Sequence, residues 1–164
     1  MNRRTIFTLS AMAALGLAML PGSISFAQQG SLRQQLVGTW TLVSCEFSPN
    51  ATFCGGNPNG ILIFDASGRY AWMNAARGRP KDATAFAANR ADVTPEYYKA
   101  IAQGLVANFG TWSVNEGDKT LTRKFEGALF PNVEGTETKE SVSLTGDELK
   151  ISGGAISAVW RRVR

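Results

Sequence analysis

Short segments in which apolar and polar residues alternate constrain this chain more than any other feature of its sequence. In residues 69–74, for example, Tyr70, Trp72 and Asn74 share one face of an extended chain. A period of two predicts antiparallel strands, and the Gly, Asn and Asp residues between the segments predict turns. The predicted strands lie at about 40–45, 60–64, 69–74, 109–115, 119–126, 136–145, 148–153 and 155–163.

About seven or eight strands in 164 residues predict a single all-β domain. An open sheet of this size exposes two edges, whereas closure removes them. We therefore predict an antiparallel β-barrel with one short helix. In the first strand, strict alternation places Trp40, Leu42 and Ser44 on one face.

The sequence contains no histidine, which limits the chemistry available to it. Histidine is the commonest metal ligand, and its ordinary pKa suits a general base near neutral pH. Histidine-ligated metal centres and Ser-His-Asp or Cys-His catalysis are therefore excluded, and we expect no metal and no cofactor. No two carboxylates are spaced as an acid/base pair, so no catalytic residue is assigned and a binding protein is favoured over an enzyme.

Residues 1–27 have the pattern of a secretory signal peptide. Arg3 and Arg4 precede an apolar run, and the small residues Ser25 and Ala27 occupy the −3 and −1 positions of a cleavage site. The alternative, a membrane anchor, needs about 20 apolar residues, and this run is shorter. We expect export to the periplasm or the medium, by the Sec or the twin-arginine route, and a mature domain spanning residues 32–164.

Loss of the two signal arginines leaves 15 basic and 13 acidic side chains. This balance offers few phosphate contacts, so nucleic acid is not an expected partner, and neither is a membrane for the mature protein. Cys45 and Cys54 favour a disulfide in an oxidising compartment. Two free thiols or a metal-binding pair are the alternatives.

Two segments depart from the strand pattern. Residues 75–93 are long, polar and basic, which suits either a lid or a solvated insertion. After them, Thr94 as N-cap and Pro95 at the first helical position predict a helix to about Asn108. Its apolar stripe, formed by Tyr98, Ile101, Ala102 and Leu105, is expected to lie against the sheet.

Five ordered blocks, at residues 36–45, 60–70, 109–114, 126–136 and 160–163, resemble the bacterial lipocalin-like domain family. Leu-Phe-Pro-Asn in the fourth block is the most specific motif. The resemblance implies an up-and-down barrel with a central cavity. The chain departs from the family at residues 122–125, where Thr-Arg-Lys-Phe replaces a strand that tends to carry paired histidines.

The motif at residues 38–40 resembles the lipocalin motif in which a first-strand tryptophan closes one end of the barrel. This resemblance implies that Trp40 is structural. It also implies that an arginine of the last strand, either Arg161 or Arg162, stacks on the Trp40 ring as a cation–π contact.

Strict alternation in residues 119–126 places Leu121, Arg123 and Phe125 on the inward face. Inside a barrel, Arg123 suits a carboxylate ligand, and the alternative, which is slightly favoured, is an internal ion pair with an Asp or Glu at the barrel end. The candidate ligand-binding residues are Tyr70, Trp72, Asn74, Arg123 and Phe125. The expected ligand is a small apolar or amphipathic molecule, with an organic acid anchored by Arg123 as one form of this expectation.

Two other functions remain open. The polar start of the mature chain, residues 28–35, suits a protease-inhibitor type of interaction protein that binds a protein partner, although it equally suits a helical cap on the barrel. A small cofactor-free isomerase or cyclase is the third alternative, because positioning by a pocket can itself accelerate a reaction.

Overall fold

A computed structural model of the protein describes residues 30–47, 54, 59–81 and 93–164. The predicted signal peptide and most of the predicted basic loop, residues 82–92, lie outside the described residues. No helix in the described ranges is long and apolar enough to cross a membrane.

In the described part of the chain, eight antiparallel strands form one closed barrel in sequence order, with β8 paired to β1. This confirms the predicted fold class. The strands are β1 (Gly38–Phe47), β2 (Gly60–Phe64), β3 (Arg69–Ala75), β4 (Leu105–Asn115), β5 (Thr120–Ala128), β6 (Glu137–Thr145), β7 (Glu148–Gly153) and β8 (Ile156–Arg162). Within the described ranges, two α-helices, α1 (Leu32–Leu36) and α2 (Pro95–Gln103), and a 3-10 helix at Pro131–Val133 lie between or before the strands.

The two ends of the barrel differ. Helix α1 lies where β1 begins, beside the short β2–β3, β4–β5 and β6–β7 turns, and we call this the capped end. The opposite, distal end carries the longer connections of the chain and the β7–β8 turn. The segment that precedes β1 therefore determines which end of the barrel is capped.

Helix α1 is short and is held by specific hydrogen bonds. Ser31 and Gln34 form a capping box at its N-terminus. The carboxylate of Glu116 accepts hydrogen bonds from the backbone N–H groups of Leu32 and Arg33, at 2.8 and 2.9 Å. Leu36 is fully buried. The structure therefore shows a helical cap at residues 32–36.

Alternation along the strands fills the barrel with one contiguous core. Two aromatic pairs lie within it: the ring centroids of Phe64 and Trp112 are 4.7 Å apart, and those of Trp72 and Trp160 are 5.0 Å apart. The buried members of this core are Leu36, Trp40, Leu42, Leu62, Phe64, Tyr70, Trp72, Trp112, Leu121, Phe125, Val142, Leu149, Ile151, Ala158 and Trp160.

The second helix differs from the prediction. It begins as expected, since the Thr94 side chain accepts a hydrogen bond from the Tyr97 N–H, but it ends at Gln103 rather than near Asn108. Gly104 caps it, and residues 105–108 join β4, where they pair with β3. None of its residues is buried, and Tyr98 is 43% exposed, so the predicted stripe does not form a buried face.

A bulge also changes the faces of β1. Its pairing with β8 shifts register between Leu42 and Ser44, so strict alternation stops there. Ser44 is exposed, whereas Cys45 is half-buried and packs against the core. The predicted alternation that placed Ser44 on the same face as Trp40 and Leu42 was therefore wrong beyond Leu42.

Candidate functional site

The capped end is closed by a tryptophan and an arginine. The guanidinium carbon of Arg162 lies 4.1 Å from the centroid of the Trp40 ring. Arg162 also donates hydrogen bonds to the carbonyls of Val37 and Gln35, and the Trp40 indole N–H donates to the Leu36 carbonyl at 3.0 Å. These contacts join α1 to both strands of the β1–β8 seam.

The backbone explains two features of this closed end: the glycine at position 38 and the outward side chain of Arg161. Gly38 has a φ of +142°, and a Cβ there would come within 2.9 Å of an Arg162 guanidinium nitrogen. Arg161, the other candidate, is exposed and points away from the Trp40 ring by alternation along β8.

At the distal end, Cys45 and Cys54 form a disulfide with a Cα–Cα distance of 5.2 Å. The bond joins Cys54, which is buried, to the C-terminal end of strand β1. Of the alternatives that the sequence left open, the structure therefore shows the pairing rather than free thiols.

Arg123 is buried inside the barrel, with 4% of its surface exposed, and it is ion-paired. Its Nε and Nη2 atoms donate to the two carboxylate oxygens of Glu140, at 2.8 and 2.6 Å. Glu140 is equally buried and also accepts from the Thr138 hydroxyl at 3.3 Å. The structure thus shows the internal ion pair that the sequence allowed for Arg123.

Glu140 was not among the residues that the sequence analysis identified. A signal existed, because Glu140, Val142 and Leu144 alternate with polar residues along β6 and so share a face. Two apolar residues at that spacing mark the inward side.

Aromatic rings surround the guanidinium group of Arg123. Its central carbon lies 4.2 Å from the Trp72 ring centroid, 5.4 Å from that of Tyr70 and 5.8 Å from that of Phe125. Burial raises the pKa of the Tyr70 hydroxyl to about 12, although the nearby Arg123 charge opposes this shift. The cluster therefore combines a bidentate ion pair with stacking.

Several buried polar atoms near this cluster have unused hydrogen-bonding capacity. Among the described residues, the indole N–H groups of Trp72 and Trp160 and both amide atoms of Asn74 have no hydrogen-bond partner. The Tyr70 hydroxyl lies beside Arg123 but makes no hydrogen bond of good geometry with a described residue. Unpaired buried polar groups destabilise a fold, so this interior is polar at a cost in stability.

A pocket of about 440 Å³ reaches this cluster from the distal end. Its lining is mostly apolar and includes both members of the buried ion pair. The lining residues are Trp72, Val106, Asn108, Arg123, Phe125, Phe130, Thr138, Lys139, Glu140, Gly153, Gly154, Ala155 and Ile156.

Three of the five predicted binding residues, Trp72, Arg123 and Phe125, border this pocket. Tyr70 and Asn74 are buried in the same interior, where β3 places them with Trp72, but they do not border it. The Asn74 side chain lies against Gly60 of β2, where any Cβ would overlap the amide oxygen.

Two other concavities are less suited to a small ligand. One, of about 370 Å³, lies on the outer face of β2 to β5, is lined by side chains such as Ile61, Met73 and Phe109, and has no charged residue. The other, of about 640 Å³, is lined by the basic residues Arg77, Arg79 and Lys81 and is less apolar. The interior pocket alone among these three combines apolar walls with buried polar groups.

A closed eight-stranded antiparallel barrel, with a helix and a Trp–Arg stack at one end and a pocket at the other, defines the lipocalin-like class of β-barrel proteins. The chain belongs to the Lipocalin-like domain family, whose model matches residues 37–162. This confirms the resemblance drawn from the sequence.

Among solved structures, the chain is similar to an uncharacterized protein from Bacteroides eggerthii DSM 20697. The two chains are 11% identical, and the TM-score is 0.42. The match covers 78% of this chain and 99% of the other. A search of curated protein sequences found no significant match.

Proposed function

We propose that this protein binds a small, predominantly apolar molecule in the pocket at the distal end of the barrel. One observation carries the proposal: a mostly apolar pocket is bordered by the buried Arg123–Glu140 pair, which places a few polar groups in an apolar wall. A volume of about 440 Å³ lies in the range of small-molecule sites, which are mostly apolar with a few polar groups.

Burial energetics supports a bound molecule in this pocket. Covering the pocket walls formed by Phe130 and Ile156 removes apolar surface from water, which contributes about 25 cal/mol for each Å². The concavity on the outer face of β2 to β5 also offers apolar surface, but no charged residue lines it, whereas the Arg123–Glu140 pair borders the interior pocket. A mainly apolar molecule with a polar atom therefore suits the interior pocket better.

We also propose that residues 1–27 are removed on export and that the domain begins near residue 32. The disulfide between Cys45 and Cys54 supports this proposal, because such bonds persist in oxidising compartments. N-terminal sequencing of the protein from the exported fraction is expected to begin at Gln28. An intact Met1 on the exported protein would contradict the proposal.

The binding proposal is tested by native mass spectrometry of the exported protein with a matched pair of variants. Val106 borders the pocket, whereas its neighbour Ala107 lies on the outer face of β4. Val106→Trp is expected to fill the pocket and to abolish a stoichiometric small-molecule adduct that the wild type carries. Ala107→Trp adds the same side chain outside the barrel and is expected to retain the adduct.

Denaturing extraction then identifies the molecule. A wild-type protein that carries no small molecule, and that binds none of a panel of apolar compounds, would contradict the binding proposal. A stoichiometric protein partner in place of a small molecule would favour an interaction protein instead.

A further inference from the structure

We infer that the molecule bound in this pocket carries an uncharged hydrogen-bond acceptor, such as a ketone, ester or amide carbonyl, and that Glu140 is the residue that excludes carboxylates. This inference rests on the proposed binding function and narrows its ligand class. It replaces the expectation of an organic acid anchored by Arg123.

The buried charges of the site favour an uncharged ligand. Arg123 and Glu140 form a bidentate pair with side-chain exposures of 5% and 3%, so the buried wall of the pocket is a neutral unit. Lys139, the other charged lining residue, has 68% of its side chain exposed and lies 3.7 Å from the Glu137 carboxylate, so water screens its charge. A ligand carboxylate beside this pair would add a second negative charge to a site that already holds one. A ligand ammonium group would likewise place a second positive charge beside the guanidinium group. A ligand charge of either sign is therefore disfavoured in this desolvated interior.

Displacement of Glu140 by a ligand acid is also disfavoured. The carboxylate accepts hydrogen bonds from two guanidinium nitrogens and from Thr138. Gly153 of β7 packs against it so closely that a Cβ there would come within 3.1 Å of the Glu140 Cγ. Glu140 is therefore held in place from two sides. Its displacement from Arg123 by a ligand would leave the Glu140 carboxylate buried without its partner.

A hydrogen-bond donor at the pocket favours an acceptor on the ligand. The Arg123 Nη1 atom has only a long contact of 3.5 Å with the Asn108 side-chain oxygen, and both residues line the pocket. A guanidinium nitrogen is a donor without acceptor capacity. An acceptor oxygen on the ligand therefore suits Nη1, and a neutral carbonyl supplies one without the cost of a second charge.

The test compares three probes of similar chain length by isothermal titration calorimetry at pH 7: 2-undecanone, decanoate and decylamine. The wild type is expected to bind 2-undecanone at least about tenfold more tightly than either charged probe, a difference of about 1.4 kcal/mol. Glu140→Gln keeps the side-chain shape but removes the negative charge. It is expected to raise decanoate affinity relative to 2-undecanone by at least about tenfold.

Two further variants complete the design. Glu126→Gln removes an exposed carboxylate that pairs with Arg69 at 2.6 Å, and since neither residue lines the pocket it is expected to leave the wild-type order unchanged. Arg123→Met leaves Glu140 as the unpaired charge and is expected to favour decylamine. If neither pocket variant folds by near-ultraviolet circular dichroism, the wild-type order of the three probes still decides the question.

Decanoate binding as tightly as 2-undecanone to the wild type would overturn the inference and leave the binding function intact. An unchanged probe order in a folded Glu140→Gln variant would do the same. If no probe binds, the charge of the co-purified molecule decides, and a carboxylate there overturns the inference. Absence of both probe binding and any co-purified molecule would overturn the binding function as well.

Discussion

Arg123 is stable inside the barrel because Glu140 accompanies it. Removing one member of a buried ion pair leaves an uncompensated charge, which destabilises proteins by about 3–5 kcal/mol. We therefore expect Glu140→Leu to lower the free energy of unfolding by about this amount in urea denaturation. The double variant Arg123→Met/Glu140→Leu is expected to recover most of the loss, because it removes both charges.

The control for this experiment is the exposed pair between Arg69 and Glu126, whose nitrogen–oxygen distance is also 2.6 Å. Since exposed ion pairs contribute little, Arg69→Ala is expected to leave the stability nearly unchanged. Equal losses for the buried and exposed pairs would contradict the argument that burial makes the Arg123 pair sensitive.

Tyr70 gives a pH-dependent prediction at the same scale. Its pKa is raised from 10 to about 12 in the folded protein, mainly by burial. The folded state thus holds this proton more tightly than the unfolded state, so the contribution to stability is complete below pH 10 and is lost as the pH rises towards about 12.

Unfolding midpoints of the wild type are therefore expected to fall between pH 10 and pH 12 more steeply than those of Tyr70→Phe. Phenolate absorbance measures the same group directly, as the difference between the titrations of the two proteins. A Tyr70 component that titrates near pH 10 would show that the hydroxyl is accessible to water.

At the scale of single elements, the β4–β5 pair contains a bulge that only glycine permits. The register shifts between Phe109 and Gly110, and a Cβ on Gly110 would overlap the carbonyl oxygen of Lys124. Gly110→Ala is expected to lower the free energy of unfolding by about 3 kcal/mol, because backbone must move to relieve the overlap.

Gly117 is the matched control, since a Cβ there would approach only the Asn115 side-chain oxygen, at 3.3 Å. Gly117→Ala is expected to cost much less in the same denaturation experiment. Comparable losses at Gly110 and Gly117 would show that the close approach in the bulge is not maintained in solution.

The boundaries of elements show where local patterns stop being sufficient. Thr94 and Pro95 correctly predicted where α2 begins, because an N-cap is a local hydrogen bond. The end was predicted too late, because pairing with β3 takes residues 105–108 into β4. Likewise the bulge in β1, which moves Ser44 outward, depends on the register with β8.

At the scale of the whole molecule, Arg162 closes the barrel by joining α1, the Trp40 ring and the β6–β7 turn. It donates to two backbone carbonyls before β1 and lies 3.9 Å from the Asp147 carboxylate. Arg162→Ala is expected to lower the free energy of unfolding by about 2–3 kcal/mol, from the loss of stacking and of charged hydrogen bonds.

Arg161→Ala serves as the control, because Arg161 is adjacent in sequence but exposed. It is expected to leave the urea midpoint close to that of the wild type. A loss at Arg161 as large as that at Arg162 would contradict the assignment of the closing contact.

The sequence by itself determined which side chains face inward along most strands, because a period of two is a property of each extended segment. Tyr70, Trp72 and Arg123 were predicted as interior residues on this basis, and the resemblance to lipocalin-like domains implied closure at Trp40. These features need no knowledge of which strand lies opposite.

The tertiary structure alone decided which groups meet between neighbouring strands. Glu140 pairs with Arg123, Arg162 rather than Arg161 stacks on Trp40, and two bulges shift the strand register. Contacts of this kind depend on register and on barrel closure, which a local pattern does not encode. The change of the expected ligand from an acid to a neutral acceptor therefore follows from one long-range contact, that of Arg123 with Glu140.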